Sequence, residues 1–183
     1  CFDILSEPAI PSGIILGYHG SIHGIKLAKK DYGMPKAVIE NTAVHQLRSQ
    51  IIDDIFEITV MGPTDNSYQN LPVVYLTDAN NSLGAACDIV NALIFGGEIP
   101  PILLVAIGYP IDGDFNKFIK LRTRDFSPSL CEWQAPMVAE LAGLKQEELI
   151  CGGAPNFLTF LTRELRDFLS DRYDISDDST YIG

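Results

Sequence analysis

Long apolar runs are missing from this 183-residue chain. The longest, Ile102 to Tyr109, falls far short of the ~20 residues that a membrane-spanning helix needs, so no membrane partner is expected. Basic charge is scarce. Lys plus Arg number 13 against 24 Asp plus Glu, a formal net charge of −11, which argues against nucleic acid or any other polyanion as a partner. Closely spaced cysteines are absent too. Cys1, Cys87, Cys131 and Cys151 form no CxxC, so neither a zinc nor a thioredoxin pattern is present, and no disulfide framework is expected. Cys87 sits in an apolar helical run, the usual place of a buried thiol.

The glycines match neither a phosphate-binding loop nor GxGxxG, which removes support for phosphoryl transfer and nicotinamide redox chemistry. Metal patterns fail in their details. His19 and His23 are four apart, but Gly20 and Gly24 oppose a helical ligand pair. Asp112-Gly113-Asp114-Phe115-Asn116 opens like a calcium loop, yet Lys117 and Thr123 stand where Gly and Glu are required. No metal and no cofactor is therefore expected. Asp53-Asp54, Glu147-Glu148 and Asp177-Asp178 are adjacent pairs whose side chains diverge, as on solvated faces. The sequence opens on Cys1 rather than Met and leaves the compartment undetermined, with a soluble cytoplasmic or periplasmic protein as the expectation.

What is present suits one globular domain: 46% hydrophobic and 20% charged residues. Residues 1–41, rich in Gly, Pro and Ser at their start, carry no sustained period and read as an irregular lead-in. Thr42 to Leu47 and Asp54 to Val60 alternate apolar and polar residues, an antiparallel pair joined by a turn at 50–54. Pro72 to Leu76 predicts a short buried strand, and Ser82 caps a helix to about Phe95 with a stripe of Leu83, Ala86, Ile89, Val90, Leu93 and Ile94. Ile102 to Ile107 is a second buried strand. A long loop is expected from Gly108 to about Ala135, then a short helix or irregular insert at 137–149. A stronger helix follows from about Pro155 to Arg172, a turn at Asp177-Asp178-Ser179, and a strand opening at Thr180. Strands alternating with helices imply a largely parallel sheet covered on both sides.

Several segments occur together in a specific order. They are Leu71-Pro72-Val73-Val74-Tyr75-Leu76-Thr77-Asp78-Ala79-Asn80, Arg122-Thr123-Arg124-Asp125-Phe126-Ser127-Pro128, Gly152-Gly153-Ala154-Pro155-Asn156-Phe157, Phe160-Leu161-Thr162-Arg163-Glu164-Leu165 and a last stretch, Tyr173-Asp174-Ile175 to Thr180-Tyr181-Ile182-Gly183. Over roughly residues 42–183 this set resembles the esterase family of α/β-hydrolases that includes siderophore-ester hydrolases, feruloyl esterases and S-formylglutathione hydrolases. The branch of trilactone siderophore hydrolases is the most similar. In that family such a strand leads into Gly-His-Ser-x-Gly-Gly, and Gly183 matches its first Gly.

The resemblance implies an α/β-hydrolase fold: a mostly parallel sheet with an antiparallel N-terminal strand pair, here reaching only to the central strand. It also implies a serine carboxylic-ester hydrolase acting on a small-molecule ester through an acyl-enzyme, without cofactor. No serine here has Gly two before and two after it, and His19, His23 and His45 all precede the expected serine, against the order Ser, acid, His. The chain thus reads as an incomplete portion, inactive alone, and prone to aggregate through its uncovered sheet edge. The resemblance places the first half of the oxyanion hole at Asp78-Ala79-Asn80, with the Asn80 backbone N–H as donor, although Asn80 and Asn81 also suit simple helix capping. The family often has Gly where Ala79 stands. Asp78 and Arg124 are candidate substrate-binding residues; Arg122, Arg124 and Asp125 fall at the sheet edge where ligands bind, and Arg124 with Asp125 equally suits a structural ion pair. Tyr109 and Trp133 suit either a pocket lining or packing. From another class of function, a non-catalytic α/β-hydrolase-like binding or interaction domain stays open.

Overall fold

A hairpin opens the sheet. The computed structural model describes residues 38–63, 68–129 and 134–183. Strand β1 (Thr42–Ser49) pairs antiparallel with β2 (Asp54–Met61), in register from Thr42 opposite Met61 to Ser49 opposite Asp54. Asp53 turns the chain with φ 58°, a left-handed conformation that Asp tolerates better than most residues. The alternation in β2 has the expected effect, since Phe56, Ile58 and Val60 point into one core. The chain then continues through β3 (Leu71–Leu76), helix α1 (Ala79–Phe95) and β4 (Leu103–Gly108). Helices α2 (Phe115–Phe126) and α3 (Ala135–Ala142) and a 3₁₀ turn (Gln146–Glu148) follow. One long helix is built from α4 (Ala154–Thr159), a π-helical segment (Phe160–Glu164) and α5 (Leu165–Ser170), and β5 (Ile175–Ile182) comes last.

The sheet order is β1-β2-β4-β3-β5. β2 runs antiparallel to β4, whereas β3 lies parallel to both β4 and β5. Only β2 runs against the other four strands, so the sheet is the mostly parallel one expected, with the antiparallel pair at one edge. β4, at its centre, is buried along its whole length. A strand covered on both faces has no use for alternation, which is why its sequence is continuously apolar.

Each face carries its own core. On one, Phe56, Ile58, Val73, Tyr75, Val105 and Ile107 pack against Phe118 of α2 and against Phe157, Phe160, Leu161, Leu165 and Leu169 of the long helix. Phe56 and Phe160 stack with ring centroids 4.3 Å apart. On the other face α1 brings Cys87, with Leu83, Ala86 and Val90 beside it, onto Met61, Leu76, Leu104 and Ala106. Cys87 is the expected buried free thiol. Ile89, expected in that stripe, is 59% exposed.

Three local expectations are corrected. Helix α1 begins at Ala79, ahead of Ser82, because the Asp78 carbonyl already accepts from the N–H groups of Asn81 and Ser82. The stretch after Gly108 holds a helix: the Asp114 side chain caps α2 by accepting from the Lys117 N–H, and Phe118, Ile119 and Phe126 recur at helical spacing toward the core. Asp177-Asp178 lies within β5 rather than in a turn. Cys151 is disulfide-bonded, which the expectation of no disulfide framework did not anticipate. Cys1, His19, His23, Cys131, Trp133 and most of the lead-in lie outside the described residues.

Candidate active site

The parallel strands β3, β4 and β5 end together, and the chain leaves β3 there in a sharp turn. Thr77 donates its N–H to the Ile182 carbonyl (3.0 Å), tying the end of β3 to the end of β5. Gly183 follows immediately, packed so closely on the Thr77 hydroxyl that a Cβ has no room there. Asp78 then takes φ 55°, ψ 33°, a left-handed conformation that is rare outside Gly, Asn and Asp. Helix α1 starts at the next residue. The left-handed position belongs to Asp78, so Ala79 sits in ordinary helical geometry and needs no glycine.

The reversal at Asp78 sets the first turn of α1 directly after the end of β3. Asn81 and Ser82 bond back to the Asp78 carbonyl (2.9 and 3.2 Å), and the backbone N–H of Asn80 meets no acceptor among the described residues. An unpaired N–H at the positive end of a 17-residue helix is suited to a negatively charged oxygen. The Asn80 side chain is fully engaged. Its Nδ2 donates to the Tyr109 carbonyl and its Oδ1 accepts from the Tyr109 N–H, both at 2.9 Å.

Asp78 and Arg122 meet. The Arg122 guanidinium forks onto both Asp78 carboxylate oxygens (2.9 and 3.1 Å from Nε, 2.9 Å from Nη2) and lies over the Phe126 ring at 5.0 Å. Hydrogen bonding to Asp78 raises the Arg122 pKa, with burial acting against it. Arg122 is the more open of the two, its side chain 45% exposed.

Arg124 takes the opposite side of α2. Its Nε and Nη2 bond to Asp125 (2.7 and 3.0 Å), and its Nη1 reaches Asp54 at the start of β2 (2.7 Å). Burial alone would lower its pKa; the bonds to Asp125 and Asp54 outweigh this and hold it above the ordinary arginine value. The Asp125 side chain is 1% exposed and also accepts from the Tyr109 hydroxyl (3.0 Å). Tyr109 packs between Phe56 and Phe118, and burial together with the Asp125 charge pushes its phenol pKa up. Asp54, Arg124, Asp125, Tyr109 and Asn80 thus form one continuous chain of hydrogen bonds from the hairpin to the start of α1.

That chain is the part of the site the sequence did not announce. Helical spacing after the Asp114 cap was the available signal for α2, but nothing local links Asn80 to Tyr109. His45 is held elsewhere, its Nε2 against the Tyr173 hydroxyl (3.0 Å) and its ring edge-on to Phe168.

No protein-family model matches the sequence, and no curated protein matches it. Solved structures do. The chain is similar to the BES protein from Bacillus cereus, at 24% identity and a TM-score of 0.64 over 82% of this chain and 53% of that one. It is similar to an IroE-like serine hydrolase from Shewanella oneidensis, at 23% identity and 0.60 over 78% and 42%. The siderophore hydrolase EstA from Aspergillus nidulans matches at 23% and 0.60 over 81% and 52%. The chain therefore spans about half the length of these structures. At this identity the likeness establishes the fold, the α/β-hydrolase arrangement expected from the sequence.

Proposed function

We propose that this chain is the oxyanion-loop half of a serine carboxylic-ester hydrolase of the esterase family that contains the siderophore hydrolases. The observation that carries the reading is the Asn80 N–H at the start of α1, which meets no acceptor among the described residues and lies at the same end of the sheet as Gly183, the residue after β5. An α/β-hydrolase needs one oxyanion donor from the loop after its third strand and a second from the residue after the nucleophile. In this reading the nucleophile turn opens at Gly183.

The chemistry follows from that placement. A serine oxygen, on a turn following Gly183, forms a bond to the ester carbonyl carbon while a histidine takes its proton. The carbonyl oxygen becomes an oxyanion, and the Asn80 N–H with a second backbone N–H stabilises it. Collapse breaks the bond to the alkoxide, which leaves as the alcohol with the proton from histidine. Water then repeats the sequence on the acyl-enzyme and releases the acid. The Asn80 N–H has its use only when charge develops on the oxygen, so it lowers the barrier rather than tightening substrate binding. The serine, acid and base of this scheme are not among these residues, and the chain alone is inactive in this reading.

Asp78 and Arg124 are assigned more modest parts. Asp78 shapes the turn that frees the Asn80 N–H, with Arg122 neutralising a carboxylate that would otherwise oppose an oxyanion nearby. Arg124 anchors α2 to the hairpin. The substrate class proposed is a small-molecule carboxylic ester; similarity to EstA makes siderophore esters the first to try.

Ester hydrolysis and labelling by a fluorophosphonate, measured on this chain and on the product of the whole reading frame that encodes it, test the proposal. The longer product is expected to be labelled and active, and the 183-residue chain to be neither. In the longer product Asn80→Pro removes the N–H together with the carboxamide and is expected to lower kcat by about 10²–10³ with KM little changed, whereas Asn80→Ala, which keeps the N–H, is expected to lower kcat less. A longer product with no labelling and no hydrolysis would make the domain a binding module instead.

A further inference from the structure

The Asn80 carboxamide has a use of its own. We infer that it is a positioning group: a built-in peptide unit that pairs with the Tyr109 backbone and holds the Asn80 N–H at its address. Its catalytic meaning rests on the function proposed above; its geometry does not.

A carboxamide carries one acceptor and one donor in a plane, as a peptide group does. Here both are used on one residue, Oδ1 accepting from the Tyr109 N–H and Nδ2 donating to the Tyr109 carbonyl, each at 2.9 Å. Such a pair continues the sheet ladder for one step beyond the end of β4, across to the first turn of α1. The neighbouring residue makes room for it. A Cβ at Gly108 would lie 3.1 Å from Asn80 Oδ1 and 3.4 Å from the Ala79 Cβ, so the bare glycine lets α1 sit this close.

Only asparagine meets these conditions. Aspartate keeps the acceptor but, once ionised, has no proton for the Tyr109 carbonyl. Leucine has the size and neither bond. Glutamine places its amide one carbon too far out for a ring this tight. Two residues of the same type stand side by side, both exposed, and differ in partners: the Asn80 carboxamide has two hydrogen bonds and the Asn81 side chain none among the described residues. Simple helix capping does not account for Asn80, whose amide points back at β4 rather than at the N–H groups of α1.

The pairing also couples the loop to the buried network. Tyr109 is gripped at both ends, its backbone by Asn80 and its hydroxyl by Asp125. Displacement of the Asn80 N–H therefore requires α1, β4 and α2 to shift together, the rigid support that an oxyanion donor needs.

Side-chain amide exchange, followed by NMR on the 183-residue chain, reads the clamp directly. The Asn80 amide proton bonded to Tyr109 is expected to exchange at least about fivefold more slowly than those of Asn81, the factor one ordinary hydrogen bond provides. Asn80→Ala is expected to remove protection from the Tyr109 N–H and to move the residue-80 amide shift, with exchange at the centre of β4 unchanged. In Asn80→Asp the ionised carboxylate still accepts from the Tyr109 N–H, so that protection is expected to persist, while the residue-80 amide shift should move and return toward its original value as pH falls through the carboxyl range, because the protonated acid regains a donor for the Tyr109 carbonyl. Asn80→Ala should show no such return.

Equal exchange at Asn80 and Asn81 overturns the inference, and that measurement needs no variant to fold. Retention of Tyr109 protection in Asn80→Ala overturns it as well. The two proposals separate cleanly: a complete protein that hydrolyses no ester would sink the proposed function and leave the exchange ratio standing. Equal exchange would sink the clamp and leave ester hydrolysis standing.

Discussion

Tyr109 concentrates more of this protein's physical chemistry than any other single side chain. Its ring fills space between Phe56 and Phe118, its backbone holds Asn80, and its hydroxyl donates to the buried Asp125. Burial and the Asp125 carboxylate both disfavour the phenolate, so its pKa is raised. A group whose pKa is raised on folding contributes stability that is present in full below its unfolded value and is lost as pH rises beyond it. For a phenol that unfolded value is about 10. Tyr109→Phe is thus expected to cost about 1 kcal/mol at pH 8, since Asp125 keeps its bonds to Arg124. Urea unfolding should show that gap closing between pH 8 and pH 11, as wild type loses what the variant never had. A constant gap across that range would show that the hydroxyl is not held as described.

At the scale of elements, glycine separates two kinds of contact. The Gly152-Gly153-Ala154-Pro155 stretch closes the C-terminal end of α2: Gly153 donates to the Arg124 carbonyl (2.9 Å), Ala154 to that of Ser127 (3.1 Å), and Gly152 to the Ser127 hydroxyl (2.7 Å). These bonds satisfy carbonyls that a helix end leaves open. A Cβ on Gly153 would stand 2.6 Å from the Arg124 carbonyl oxygen, a backbone atom that cannot step aside. Gly153→Ala should therefore destabilise by about 1–3 kcal/mol. Gly84, in the middle of α1, has nothing within 4 Å of its would-be Cβ, and Gly84→Ala should stabilise by about 0.5–1 kcal/mol. Melting temperatures of the pair decide it, and shifts of the same sign would refute the distinction. The π-helical segment has a comparable local reason. It carries Glu164 to the hairpin, where the carboxylate accepts from the Ser49 hydroxyl and from the Gln50 N–H (2.8 Å), joining the long helix to the β1–β2 turn.

Across the whole molecule the open side of β5 dominates behaviour. Among the described residues β5 pairs with β3 alone, and Tyr181 and Ile182 are 44% and 52% exposed. An edge with unpaired backbone groups and apolar side chains recruits further strands. Concentrated solutions of the chain should self-associate, and Thr180→Lys should reduce light scattering while leaving the melting temperature nearly unchanged. Unaltered scattering would place the sticky surface elsewhere, for instance on α1, where Phe95 is 96% exposed.

Residue order alone determined the strands, because apolar periodicity is local: the alternation of Phe56, Ile58 and Val60 and the unbroken run of β4 needed no partner to be read. It determined the helix from Pro155 onward for the same reason, whereas Asp78, Asn80 and Arg124 came into view through the family resemblance. Short-range polar signals were harder. Charged residues in α2 masked its helical period, and the acidic pair at Asp177-Asp178 imitated a turn where an exposed strand runs. The strand order and the partners of the site belong to tertiary structure. Arg124 meets Asp54, Arg122 meets Asp78, and Asn80 meets Tyr109 only after β4 is laid between β2 and β3. Such contacts join residues far apart in the chain, and no local pattern encodes which carboxylate a given arginine will find. Burial then gives those pairings their strength, by removing the water that would otherwise compete for each group.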